Sequence, residues 1–161
     1  MQIKQLWNKR PVWLVIPICA GLVLLLTALT CVFVDYNSLW YASLVKPTFL
    51  PPAAVFAVGW TLLFFIYCAS FALCALLRAF RLRDLMAYTL GALLSPLWCY
   101  LFFTLHQLLG ALLIIGAQLA LQIFLFCRSW HISRIGAWLM IPCIVWTVGM
   151  VCINFETAFL N

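Results

Sequence analysis

Five apolar runs, separated by short stretches that carry most of the charge, organise the chain. They fall at about residues 11–34, 51–77, 85–103, 108–127 and 135–155. None shows the period-2 alternation of a barrel strand, and their lengths suit membrane-spanning helices. The third and fourth runs come from one stretch, Leu85 to Cys127, which would be about 65 Å long as a single helix, roughly twice the hydrocarbon thickness. Its one polar break is Thr104-Leu105-His106-Gln107, and a tight hairpin is expected there. Pro11 and Pro51-Pro52 mark the starts of the first two helices, where a missing N–H costs nothing, and Pro17 should bend the first slightly. The pattern predicts an all-α polytopic membrane protein, a five-transmembrane-helix bundle forming one domain over residues 1–161.

Composition narrows the function classes. With 68% hydrophobic and 7% charged residues and a mean hydropathy of +1.19, the polar side chains could not cover a water-facing surface. The net charge of +6 does not point to nucleic acid, because the basic residues lie in short clusters between apolar runs. With five spans, one side of the membrane collects Lys4, Lys9, Arg10, Arg78, Arg81, Arg83, Arg128 and Arg134. Only Lys46 lies opposite, with Asp35 and Glu156, so the N-terminus is expected in the cytoplasm; four or six spans would spoil the partition. The basic start resembles a secretory signal, but the run after it is about 36 Å long and lacks a small-residue cleavage site, so it should remain as a span. Eight cysteines lie within or at the ends of apolar runs with no metal-ligand spacing, and read as small hydrophobes. Asp35, Asp84, Glu156, His106 and His131 all fall at span ends or loops, which argues against acid–base catalysis, a metal site or a required cofactor.

The first connection, residues 35–50, holds aromatics, a lysine and a proline rather than the Gly/Ser mixture of an idle linker, and reads as a lid. Trp7, Trp13, Trp40, Trp130 and Trp138 fall near span ends, where indoles belong by default. Trp60, Trp98 and Trp146 lie deeper, on the lid side. They either wall a cavity for a flat apolar ligand or simply fill the core and face lipid. Gln118 and Gln122, four apart, read as interhelical hydrogen-bonding residues. Ala87 and Gly91 form a small-residue stripe suited to a dimer interface; Ser95 continues it, with its role open. Lys46 could anchor the lid to headgroups or carbonyls, or attract a ligand carboxylate.

One stretch carries a family resemblance. Trp40-Tyr41-x-x-Leu44-x-Lys46-Pro47-x-Phe49-x-Pro51-Pro52-x-x-x-Phe56-x-x-x-Trp60 resembles the signature of the translocator protein/tryptophan-rich sensory protein (TspO/MBR) family. Trp98-x-x-x-Phe102-Phe103, Pro142-x-x-x-Trp146, Asn154 and Asn161 match further motifs, so the resemblance covers about Leu39 to Asn161. There are departures: Ser95-Pro96 stands where the family has an asparagine, Gly59 for a valine, Phe64 for a tyrosine and Cys143 for a tyrosine.

The resemblance implies five membrane helices, often as homodimers, and an outer-half cavity closed by the first loop. It implies binding of tetrapyrroles such as protoporphyrin IX. On this reading the ligand-binding residues are Trp40, Tyr41, Lys46, Phe49, Phe56, Trp60, Ser95, Trp98, Phe102, Trp146, Thr147 and Asn154. Some bacterial members have been credited with light-dependent porphyrin breakdown, with the tryptophans matching Trp60 and Trp146 implicated. Three classes of function are expected: a porphyrin-binding receptor or transporter, an enzyme-like photo-oxidant, and a regulatory scaffold with a vestigial cavity.

Overall fold

The computed structural model describes residues 12–77 and 81–161. Lys4, Trp7, Lys9, Arg10, Pro11 and Arg78, and the side chains of Trp13 and Cys19, lie outside the described residues. The described chain is all-helical: α1 (Val12–Phe33), α2 (Leu39–Ser43), α3 (Ala53–Ala75), α4 (Leu82–Cys99, continued as a π-helical turn over Tyr100–Thr104), α5 (Leu108–Trp130) and α6 (Arg134–Leu160). Among the described residues, α3, α4 with its π turn, α5 and α6 are long and apolar enough to cross a membrane. α1 contributes a shorter apolar stretch, Leu24–Phe33.

Local chemistry sets the ends. Pro52 caps α3, and the Ser133 side chain accepts from the Gly136 N–H at the start of α6. At the start of α4 the Asp84 carboxylate accepts from the Arg81 N–H at 2.8 Å, the half of a capping box that an acid three residues in supplies. The expected hairpin falls where predicted, at Leu105–Gln107, but α4 reaches it through a widened turn that the sequence did not announce. Leu105 N–H bonds to Tyr100 O at 3.0 Å, five residues back, and His106 adopts φ 56° to reverse the chain. Phe102 and Phe103, adjacent in sequence, are both buried there. A regular helix would turn one well away from the other, and the π turn narrows that divergence. The first connection is not a bare loop either, since Ser38 accepts from Tyr41 N–H and starts the one-turn helix α2.

The long helices close a ring. α1 packs between α3 and α4, α3 against α6, α6 against α5, and α5 against α4. Large apolar side chains such as Leu62, Leu109, Leu113, Val145 and Phe155 cover its outside, as a lipid-facing surface requires. Inside, among the described residues, are two large cores and a smaller cluster of Leu26, Phe64 and Cys68. One, at the α2 end, gathers Phe56, Trp98, Phe102, Phe103, Ile115 and Met150. The other, at the opposite end, gathers Tyr67, Cys74, Tyr88, Leu125 and Met140. Of the seven described cysteines, none joined in a disulfide among the described residues, Cys68, Cys74, Cys99 and Cys143 are buried while Cys31, Cys127 and Cys152 are exposed.

The second core contains a polar network that ties four helices together. Tyr88 Oη lies 2.8 Å from both Ser70 Oγ and Ser129 Oγ, Ser70 Oγ donates to Gly136 O at 2.7 Å, and Tyr67 Oη donates to Tyr88 O at 2.8 Å. Beside it Asp84, fully buried, receives Arg128 Nε at 2.7 Å and Nη2 at 3.1 Å. Gly91 also belongs to this interior. A Cβ there would lie 2.5 Å from Tyr67 Oη, and Ala87 is half-buried against the same core. Of the small-residue stripe expected at a subunit interface, Gly91 thus packs inside its own bundle, with Ala87 at the edge of that core.

Candidate functional site

A cavity of about 290 Å³ opens under the α2 segment. α1 gives it Thr27, Thr30 and Cys31, with Val34 just after its end; α3 gives Phe56, Trp60, Thr61 and Phe64; α4 and its π turn give Trp98, Cys99, Phe102 and Phe103; α6 gives Met150, Ile153, Asn154 and Thr157. The lid adds Tyr36, Tyr41, Leu44, Lys46 and Leu50.

Its wall is a continuous aromatic assembly. Trp60 and Trp98 stack with centroids 5.5 Å apart at 15°, and Trp98 stacks on Phe102 at 5.3 Å and 28°. Trp146 meets Trp60 edge-on at 6.1 Å and 88°. Trp98 is held by polar contacts as well as packing, since its Nε1 donates to Asn154 Oδ1 at 2.8 Å and Asn154 Nδ2 donates to Leu108 O at 3.2 Å. Asn154 is fully buried, so both halves of its amide are satisfied inside the bundle.

The lid is pinned at three places. Trp40 stacks on His106 of the hairpin at 4.1 Å and 15°, Tyr36 and Tyr41 pack on Phe103, and Asn161 clasps Val45. In the clasp, Val45 N–H donates to Asn161 Oδ1 at 2.9 Å and Asn161 Nδ2 donates to Val45 O at 3.0 Å. Lys46 Nζ sits 4.1 Å from the Tyr41 ring centre and has no carboxylate partner among the described residues. Burial pushes the Tyr36 and Tyr41 phenols up, so both remain neutral hydroxyls at physiological pH. Asn161→Ala removes both lid bonds, each worth about 0.5–1.5 kcal/mol. Ligand release from the cavity is expected to accelerate roughly fivefold to a hundredfold, readable by stopped-flow displacement; an unchanged rate would show that the clasp does not restrain the lid.

Seven of the twelve expected binding residues line this cavity: Tyr41, Lys46, Phe56, Trp60, Trp98, Phe102 and Asn154. Trp40 stands behind the wall, edge-on to Phe102 at 5.6 Å. Phe49 points to the outer surface, into a groove with Phe155 and Phe159. Ser95, Trp146 and Thr147 border a separate, smaller cavity deeper in the bundle. Sequence reasoning missed Thr27, Thr30 and Cys31 of α1 and Met150, Ile153 and Thr157 of α6. The threonine signal was available, as Thr27, Thr30 and Thr61 all lie within apolar runs.

The TspO/MBR family profile matches residues 15–160. The chain belongs to the TspO/MBR family. Among its relatives, protein CrtK of Rhodobacter capsulatus is 29% identical over 126 residues, covering 76% of this chain and 78% of the relative. The tryptophan-rich sensory protein of Cereibacter sphaeroides is 27% identical, covering 76% and 77%. The tryptophan-rich protein TspO of Archaeoglobus fulgidus is 30% identical, covering 76% and 80%. With its apolar helices, this TspO/MBR protein is an integral, multi-pass membrane protein. The family departure at position 59 has a physical counterpart: a Cβ on Gly59 would lie 2.6 Å from Trp146 Cη2, so the missing side chain is the space into which Trp146 leans.

Proposed function

We propose that this TspO/MBR protein crosses the membrane five times, with α1 as the fifth span and the N-terminus cytoplasmic, and binds a flat, largely apolar ligand of the tetrapyrrole class beneath the α2 lid. The observation that carries the reading is the lining itself. Broad ring faces from α3, α4 and the π turn border a cavity whose only charged side chain among the described residues is Lys46, at the lid. A planar macrocycle stacks on such faces, and a propionate at its edge reaches Lys46 and the Tyr36 and Tyr41 hydroxyls. At about 290 Å³ the cavity sits at the lower end of drug-sized sites, so a macrocycle enters by lifting the lid.

The test compares protoporphyrin IX with its dimethyl ester in wild type and Lys46→Ala, by quenching of tryptophan fluorescence in nanodiscs. Wild type is expected to prefer the free acid by roughly tenfold, the worth of one charge-assisted contact, and Lys46→Ala to lose that preference. Equal affinity for both ligands in wild type would remove the propionate contact, and no quenching by either would remove the tetrapyrrole. The light-driven alternative draws on a further observation, that Trp60 lines the cavity while touching both other deep indoles. An excited ligand on Trp60 could take an electron from it without any acid–base group.

A further inference from the structure

Trp60 and Phe64 are two-sided walls. One side faces the main cavity and the other a cavity of about 30 Å³ near the centre of the ring, bordered by Ser95 of α4, Gln118 and Gln122 of α5, and Trp146 of α6. Four buried side-chain atoms among the described residues lack a hydrogen-bond partner, and three of them belong to this lining: Gln118 Oε1, Gln122 Oε1 and Trp146 Nε1. Gln118 and Gln122 are 5% and 4% exposed, so neither amide reaches bulk solvent. A buried polar atom left unmet is unfavourable, and three around one small space are not a chance residue of packing.

The three atoms define what fits. Two are acceptors and one is a donor. A cation suits the two amide oxygens and is repelled by the indole N–H; an anion has the reverse difficulty; an apolar group satisfies none. A water molecule offers two donors and an acceptor, the complement of the set, and the cavity, at about 30 Å³, exceeds the roughly 10–15 Å³ that a buried water needs. Three hydrogen bonds is also the usual number for an internal water.

We propose that this cavity is a hydration site holding one water molecule, which donates to Gln118 Oε1 and Gln122 Oε1 and accepts from Trp146 Nε1. The site goes beyond ligand binding in the main cavity and does not depend on it. Gln118 is itself oriented by donating from Nε2 to Ser95 Oγ at 2.7 Å, so Ser95, Gln118 and Gln122 act through the water as positioning residues for Trp146. Trp146 is then fixed by its N–H on one side and by the Gly59 recess on the other, which keeps it edge-on to Trp60.

The experiment uses the full chain in nanodiscs with ¹⁵N-indole tryptophan, the Trp146 signal being assigned by its loss in Trp146→Phe. The Trp146 N–H is expected to show a dipolar cross-peak at the water frequency. That cross-peak should disappear, and the N–H signal move upfield, in Gln122→Leu, with the remaining indole signals in place as the check that the bundle is intact. Gln118→Met provides the same reading should Gln122→Leu fail to assemble. The proposal is overturned by a wild-type Trp146 N–H without a water cross-peak, by one coupled directly to a glutamine carbonyl, or by a cross-peak that survives both substitutions.

Discussion

Arg128→Met is expected to destabilise the folded bundle by about 3–5 kcal/mol, the cost of leaving a buried ion without its close partner, since Arg83, 62% exposed and 3.8 Å away, is a poor substitute. The carboxylate it abandons is the reason. Asp84 side-chain exposure is 1%, against 18% for Arg128, so the acid has no route to water while the base has one. The reciprocal change, Asp84→Ala, is expected to cost less. Arg128, near the end of α5, can extend its head toward the headgroups, and what is lost is chiefly the bond from the Arg81 N–H to Asp84 at the start of α4, about 1 kcal/mol. Replacing both, as Arg128→Met with Asp84→Leu, should recover most of the single-mutant loss, because the pair is removed together with its desolvation. Reversible unfolding in mixed micelles measures all three. A loss in Arg128→Met no larger than in Asp84→Ala would show that the ion pair is not the keystone of this end.

Trp60→Ala is expected to weaken protoporphyrin binding about 10- to 100-fold, since one indole face stacked on a planar ring is worth about 1–3 kcal/mol. Trp60 is the sharper choice than Trp146, because it lines the main cavity while Trp146 touches only its far side. Trp138→Ala is the control, its indole lying 60% exposed on the outer surface. Illumination of the bound complexes adds a second reading. If Trp60 donates the electron, Trp60→Phe abolishes photoconversion while Trp146→Phe slows it. Unchanged affinity in Trp60→Ala would remove the stacking wall, and photoconversion that survives in Trp60→Phe would remove the donor role.

The long helices were legible because each is a long apolar run bounded by charge or proline. The limits expected for the fourth run, 108–127, differ from α5, Leu108–Trp130, only by a final turn that carries Arg128 inward. That turn is instructive. Charge counting assigned Arg128 and Asp84 to the membrane surface, and their shared end of the bundle was readable, but their pairing depends on the ring order of the helices, which periodicity does not encode. The π turn was equally hidden, since nothing in Tyr-Leu-Phe-Phe-Thr distinguishes a five-residue hydrogen-bond loop from an α turn. Depth along a helix could be read for Trp60, Trp98 and Trp146, and all three do meet. Direction around the helix could not, and so the main cavity received Trp60 and Trp98 while Trp146, Ser95 and Thr147 fell to the smaller one. Phe49 shows the same limit in the lid, where one residue of phase turns a ring from inside to outside.

The ring order bears on how the protein is made. α1 contacts α3 and α4, all three of which leave the ribosome before α5 and α6, so a nascent chain can already hold its first half as a three-helix cluster. Trp60 and Trp98 are then present while Asn154, Trp146 and the Asn161 clasp are still unsynthesised. The last helix completes the cavity wall and fastens the roof in one event, so arrest of synthesis before α6 leaves an aromatic surface open to lipid rather than a half-sized pocket.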